Sequence, residues 1–234
     1  MEIVENVYDV ATALRATYGD FAHNNRKNPL DELLFIICST KTTGLSYENT
    51  YRRFRRHFPR FEDIARASEY ELAEALSSGG LQNIKARALK TIMQILEQRF
   101  GGPTLSPLKN MSDDECERFL TSLAGVGKKV ARCVMMYSLG REVFPVDTHC
   151  WMICHRLGWV RKTTGKGRCT IRDMDRLQDL IPPELRFSLH VNMVSLGKEI
   201  CTFRNPKCGV CPISVFCKDA AASVQTRQTR KTLA

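Results

Sequence analysis

Long apolar runs are missing from this sequence, and none of its stretches approaches the ~20 residues that a membrane-spanning helix needs. The N-terminal segment 1–19 carries acidic residues early and has no apolar core of the signal-peptide type. Neither a membrane protein nor a secreted protein is therefore indicated. We expect the chain to work in a reducing interior compartment, without a membrane partner.

Sustained strand alternation with turns at hairpin spacing is also missing, and no internal repeat is visible. Apolar residues instead recur at helical spacing along most of the chain. Ser68 with Glu71 and Ser112 with Glu115 form capping-box patterns, which are typical of helix starts. The pattern predicts an all-α fold. The expected helices begin near Glu5, Pro29, Thr43, Ser68, Ile84, Ser112, Lys129, Asp147 or Thr148, Thr170 and Pro183.

The composition is that of a globular protein with a surplus of positive charge. The chain has 234 residues, of which 43% are hydrophobic, so it can build one large domain or two small ones. Lysine and arginine number 35 against 25 acidic residues, which gives a net charge of +10. This surplus indicates a polyanionic partner, either nucleic acid or an anionic surface, although solubility alone would also explain it.

Four of the ten cysteines fall close together near the C-terminus, at Cys201, Cys208, Cys211 and Cys217. Four thiolates hold either a tetrahedral zinc ion or a [4Fe–4S] cluster. Only one pair has the short spacing of a zinc knuckle, which favours the iron–sulfur cluster. Arg204 and Lys207 lie between these cysteines, where they either contact a phosphate backbone or form a solvated loop face.

A Gly-x-Gly turn separates two helical patterns at Gly125 and Gly127. Glycines permit a tight turn with positive φ, and the exposed N–H groups at the next helix N-terminus can bind one phosphate. Lys129 falls in the first turn of that helix, where the helix dipole and neighbouring Lys128 disfavour its charge. A free amine there is a candidate nucleophile for a carbonyl or a sugar C1′, and a simple phosphate contact is the alternative.

Asp147 follows the extended pair Phe144-Pro145 and begins the next helix. A carboxylate in this place is often only an N-cap. It could also be held rigidly as a base or as a group that stabilises positive charge.

The turn 125–129, the run 146–149 and the four-cysteine loop occur in the order, and at about the intervals, of the helix–hairpin–helix glycosylase superfamily. Within it the chain resembles the endonuclease III branch, from about Pro29 to Cys217. The segment 80–86 also looks like the family segment that enters the DNA stack. Three ordered motifs are much more specific than any one of them.

The resemblance implies two helical domains with a DNA-binding cleft between them. One domain would span 24–135, and the other would join 1–23 to 136–219, followed by a basic, disordered tail over 220–234. It implies a monomer that binds double-stranded DNA with damaged or abasic sites, and a cytoplasmic, nucleoid-associated location if the source is prokaryotic. The implied residues are a Schiff-base lysine at Lys129, a catalytic aspartate at Asp147, the ligands of a [4Fe–4S] cluster at Cys201, Cys208, Cys211 and Cys217, a wedge at Leu81, and further DNA contacts at Lys41, Gln82, Asn83, Gly125, Gly127, Lys128, Arg204 and Lys207.

The implied activity is that of a bifunctional glycosylase and lyase, with oxidised pyrimidines as the default substrate. Lys41 departs from the pattern, because the family usually has a glutamine there that fills the space left by the flipped base. The insertion 160–169 is longer than usual, and the segments 144–148 and 157–160 look like plant 5-methylcytosine glycosylases. A monofunctional glycosylase, a non-catalytic iron–sulfur DNA-binding protein and a zinc-binding nucleic-acid module remain alternatives.

Overall fold

The computed structural model describes residues 4–19, 25–40, 45–160 and 169–221. Within these ranges the chain is helical and contains no strand, which confirms the all-α prediction. Its helices are α1 (Val7–Tyr18), α2 (Pro29–Ser39), α3 (Leu45–His57), α4 (Phe61–Arg66), α5 (Glu69–Ala75), α6 (Gln82–Phe100), α7 (Asp113–Ser122), α8 (Lys128–Leu139), α9 (Thr148–Leu157), α10 (Ile171–Leu180) and α11 (Pro183–Glu199). Within the same ranges, no helix has the length and apolarity to cross a bilayer.

The chain divides into two units. One comprises Asn25–Arg141, and the other joins Met1–Asn24 to Glu142–Ala234. This division follows Arg141, two residues after the end of α8 at Leu139, and the expected domain boundary after residue 135 stays a prediction. Lys129 belongs to the first of these units and Asp147 to the second.

In the unit Asn25–Arg141, α2 lies at the centre and packs against α3, α6 and α8. It begins where the Asn28 side chain accepts hydrogen bonds from the N–H groups of Leu30 and Asp31, and Pro29 occupies its first turn. Leu33, Leu34 and most of its other apolar side chains are buried. Burial of this apolar surface supplies the main driving force for folding.

In the other unit, α11 packs against both α1 and α9. The core draws Val10 and Leu14 from α1 and Leu189 and Leu196 from α11. The Trp159 indole N–H donates to the Asn6 side chain over 2.8 Å, which ties the start of the chain to the end of α9.

The capping boxes at Ser68 and Ser112 form as expected from the sequence, and Thr170 forms a third with Asp173. Two expected helix starts shift by two residues, since α1 begins at Val7 and α6 at Gln82. The six-residue α4 was not predicted, because it is too short to show a helical repeat. Lys41, most of the insertion 160–169 and most of the tail 220–234 lie outside the described residues.

Candidate active site and cysteine centre

The turn between α7 and α8 is closed by a hydrogen bond from the Val126 N–H to the Leu123 carbonyl, over 3.1 Å. Gly125 has φ +75°, a conformation that glycine adopts without strain. Gly127 is different from the expectation: its φ is −89°, so the turn does not need a glycine there for its backbone angle. A Cβ atom at Gly127 would meet nothing within 4 Å, so there is open space beside the residue that precedes α8.

Lys128 begins α8, but its ammonium is engaged within the protein. Its Nζ lies 3.0 Å from Glu117 Oε1 on α7, and the other oxygen of Glu117 lies 2.6 Å from Arg132 Nε. Only 3% of the Arg132 side chain is exposed. The carboxylate therefore offsets the charge of Lys128, which weakens the repulsion between Lys128 and Lys129 that the sequence suggested.

Lys129 is the second residue of α8 and is half-buried. Its helix packs on α2, where Glu32 is almost fully buried. Burial raises the pKa of the Glu32 carboxyl, while the Arg26 N–H and the charges of Arg26 and Lys129 act in the opposite direction. Lys129 thus has a buried carboxyl in its electrostatic surroundings, which no local sequence pattern indicated.

Leu81 stands directly before α6 with φ 54° and ψ 29°, and it is the one non-glycine residue with positive φ in the described part of the chain. Its side chain is 43% exposed, and that of Ile84 in the next turn is 67% exposed. Gln82 is half-buried and Asn83 is exposed. The start of α6 therefore presents apolar surface to solvent, as an intercalating wedge requires.

Lys85 anchors this segment from inside the unit. Its side chain is buried, and its Nζ donates to the Cys38 carbonyl near the end of α2 over 3.0 Å. Burial lowers the pKa of this lysine. The start of α6 is thereby tied to the end of α2, which precedes Lys41 in the chain.

Asp147 is the N-cap of α9, because its Oδ1 accepts a hydrogen bond from the Cys150 N–H over 2.8 Å. Burial raises the pKa of its carboxyl. The Cys150 hydrogen bonds and the charges of His190 and His149 outweigh that effect, so the pKa lies below its ordinary value. A carboxylate that remains ionised at neutral pH can stabilise positive charge on a sugar.

The four clustered cysteines line one cavity of about 230 Å³. Burial raises the pKa of the Cys211 thiol, and the thiols of Cys201, Cys217 and Cys208 raise it further, so the four interact electrostatically. Among the described residues, no group of three or more histidine, cysteine or acidic side chains is arranged to hold a metal ion. The four thiols thus line one shared space.

Arg156 of α9 stabilises the cysteine loop by hydrogen bonds, a role that the sequence did not indicate. Its guanidinium donates to Cys201 Sγ over 3.0 Å and to the carbonyls of Thr202 and Phe203, each over 3.0 Å. Arg204 and Lys207 are exposed on this loop, as they must be to contact a polyanion. The 45 residues between Arg156 and Cys201 explain why spacing alone could not reveal the contact.

Comparisons with known proteins agree with these features. The family model described as HhH-GPD superfamily base excision DNA repair protein matches residues 34–174. A candidate DNA glycosylase of Arabidopsis thaliana is 34% identical over 173 residues, which are 74% of this chain and 57% of that protein. Endonuclease III of Thermotoga maritima is 26% identical over 199 residues, which are 85% of this chain and 87% of that protein.

The structure of a trapped endonuclease III–DNA covalent intermediate superposes with a TM-score of 0.80 at 22% identity, over 96% of this chain and 100% of that one. At this identity the likeness shows a shared fold. The three sequence motifs indicated a resemblance to endonuclease III, and the comparisons confirm it. The chain spans about half the length of the Arabidopsis relative, 57% of it.

Proposed function

Because the chain belongs to the HhH-GPD superfamily of base excision DNA repair proteins, we propose that it is a DNA glycosylase that also cleaves the strand at abasic sites. The observation that carries the proposal is a lysine, Lys129, in the first turn of α8, directly after a glycine turn with open space beside it. The proposed substrate is double-stranded DNA with an oxidised pyrimidine, such as thymine glycol, or with an abasic site.

The first proposed step moves the damaged base out of the helix, since a stacked base is inaccessible to an enzyme. Leu81 enters the gap, and Ile84 lies beside it as further exposed apolar surface. Insertion of an apolar side chain costs a few kcal/mol of stacking and yields a kinked duplex. The N-terminus of α8 binds a phosphate and sets the register.

In the second step the bond between the base and C1′ breaks. Positive charge develops on the sugar, and the ionised Asp147 stabilises it. The Lys129 amine forms a bond to C1′, the base leaves with the electrons of the glycosidic bond, and the sugar ring opens to a protonated imine. Loss of a C2′ proton then breaks the C3′–O bond and releases the phosphate on the 3′ side. Hydrolysis of the imine regenerates Lys129.

Cleavage of an abasic duplex tests the lyase part of this proposal. Lys129→Gln should abolish the β-elimination product, because glutamine cannot form an imine. Lys128→Gln is the matched control, since it removes a neighbouring ammonium that is paired with Glu117, and it should retain cleavage. Equal cleavage by wild type and Lys129→Gln would refute the assigned nucleophile. A monofunctional glycosylase would release the base and leave the abasic strand intact.

We also propose that Cys201, Cys208, Cys211 and Cys217 hold a [4Fe–4S] cluster. Thiolate sulfur is the donor that such clusters prefer. The four cysteines line one shared cavity of about 230 Å³, and only one pair has the short spacing of a zinc knuckle, which supports a polynuclear group over zinc. When bound, the cluster would fix the loop that carries Arg204 and Lys207. Iron and sulfide analysis of purified protein tests this, with loss of both expected in Cys211→Ser. Zinc without iron would contradict it.

A further inference from the structure

A buried cysteine and a buried histidine lie behind Asp147, and the mechanism above uses neither. Cys150 is fully buried on α9, and only 3% of His190 on α11 is exposed. Cys150 Sγ lies 3.4 Å from His190 Nδ1. The Cys150 N–H donates to Asp147 Oδ1 over 2.8 Å, and the Cys150 side chain also lowers the pKa of that carboxyl. The thiol itself lies 3.8 Å from the His190 carbonyl, to which it can donate. The three side chains therefore form a continuous series from the core to the carboxylate.

The packing of α9 on α11 keeps this series in place. A Cβ at Gly197 on α11 would come within 2.5 Å of His149 Nδ1, so only glycine permits the two helices to approach this closely. Phe144 meets the His190 ring edge-on, with centroids 6.3 Å apart. A polar ring in such surroundings needs a hydrogen-bond partner, and the Cys150 thiol is one.

The thiol has one hydrogen and two acceptors near it, the Asp147 carboxylate and the His190 carbonyl. The sulfur faces His190 Nδ1 over 3.4 Å, where the donor is set by the tautomer of the imidazole. In either arrangement Cys150 lies between His190 and Asp147 in a buried environment, where polar contacts strengthen one another.

We propose that Cys150 and His190 are positioning residues that hold the Asp147 carboxylate oriented and ionised for stabilisation of the sugar cation. This inference rests on the proposed function, because it deepens the role given to Asp147 there. The groups that act on Asp147 are Cys150 and His149 from α9 and His190 from α11. Cys154 lies one turn further along α9, and burial raises the pKa of its thiol, which therefore stays neutral and adds no charge near Asp147. Removal of His190 removes one of the influences that keep the carboxyl ionised.

Burial raises the pKa of Asp147, whereas its contacts with Cys150, His190 and His149 lower it. Without His190, one of the contacts that lower the pKa of Asp147 is lost while the effect of burial remains, so the pKa rises. The carboxylate then becomes protonated at a higher pH, and affinity for a cationic sugar disappears at that higher pH.

The test compares two duplexes that differ in charge at the sugar position: one with a neutral tetrahydrofuran abasic analogue and one with a cationic pyrrolidine analogue. The ratio of their affinities reports the charge of Asp147 without knowledge of the damaged base. It is measured from about pH 7 down to about pH 3, because the pKa of Asp147 lies below the ordinary aspartate value of about 3.9. The proteins are wild type, Asp147→Asn, His190→Gln, Cys150→Ala and Cys150→Ser, with Cys154→Ala as the matched control.

Wild type should prefer the cationic duplex until pH falls below the depressed pKa of Asp147, and Asp147→Asn should lose the preference at all pH values. In His190→Gln and Cys150→Ala, the pH at which half of the cationic preference is lost should rise by about one unit. Below that pH the preference should be about tenfold weaker than in wild type. Cys150→Ser keeps a hydrogen-bond donor, so its midpoint should lie close to that of wild type. Cys154→Ala removes an equally buried sulfur from the same helix and should keep the wild-type midpoint.

An unchanged midpoint in folded His190→Gln would overturn the inference, and so would an equal shift in Cys154→Ala, because that would indicate general loosening of the core. A wild type without cationic preference would refute the role of Asp147 itself. Abasic-strand cleavage by the same preparations separates these results, since it continues if only the positioning residues are wrongly assigned and is absent if the lyase proposal fails.

Discussion

Glu117 shows how one side chain organises the turn before α8. Its two oxygens bind two cations, Lys128 at 3.0 Å and Arg132 at 2.6 Å. Only Lys128 could be noticed in the sequence, because it belongs to the glycine motif. Arg132 lies one turn further and is buried at 3% exposure, so the ion pair supports the turn from inside.

Glu117→Gln should lower the free energy of unfolding by about 3 kcal/mol, since it removes the carboxylate that pairs with the buried guanidinium of Arg132. Urea unfolding followed by circular dichroism measures the loss. Glu62→Gln is the control, because its pair with Arg60 is exposed, with 69% of the Arg60 side chain accessible, and should change stability by less than about 1 kcal/mol. Equal losses in the two variants would contradict the buried role of Glu117.

Single residues differed in how far the sequence could place them. Asp147 was recognisable as an N-cap, because capping depends on a few neighbouring residues. Cys150 and His190 meet across 40 positions, and Arg156 meets Cys201 across 45. Such contacts depend on helix packing, which has no local signal in one sequence.

At the scale of elements, the start of α6 combines strain with exposure. Leu81 has a left-handed backbone, which costs an ordinary side chain about 1–2 kcal/mol. Lys85 anchors the first turn of the helix to the Cys38 carbonyl. An exposed, strained leucine on an anchored helix start is expected where a side chain must enter DNA.

Leu81→Asn should raise the free energy of unfolding by about 1 kcal/mol, because asparagine tolerates the left-handed conformation and caps helices. The same change should weaken binding to an abasic duplex, because a polar side chain is a poor wedge. Leu81→Ala separates the two effects: it removes the wedge but keeps the Cβ that causes strain. Denaturant unfolding and duplex affinity measure both, and a Leu81→Asn variant with unimpaired affinity would refute the wedge.

Helix positions were the most predictable elements, because caps and apolar spacing are local. The boxes at Ser68 and Ser112 formed as the sequence indicated. The exceptions have physical reasons. α4 has six residues, fewer than two turns, and Gly127 has an extended backbone that any residue could adopt.

The whole molecule carries a net charge of +10, and its two candidate reactive residues, Lys129 and Asp147, belong to different units. Basic charge makes DNA binding dependent on salt, since each neutralised phosphate releases a counterion. The family and the fold followed from three ordered motifs. The charge alone would have left nucleic acid and an anionic surface equally open.

Abasic-duplex affinity should fall linearly with salt on logarithmic axes. Arg204→Gln and Lys207→Gln should each reduce that slope by about one, as expected for loss of one phosphate contact. Lys198→Gln offers the control, because Lys198 is exposed on α11, outside the cysteine loop. If all three variants kept the wild-type slope, the loop would be a solvated surface and not a DNA contact.

Borohydride trapping on an abasic duplex, followed by peptide mapping of the adduct, tests the central claim most directly, because reduction fixes an imine where it forms. We predict one covalent adduct, located at Lys129, absent in Lys129→Gln and retained in Lys128→Gln. No adduct on the abasic duplex, or an adduct mapped to another lysine, would contradict it.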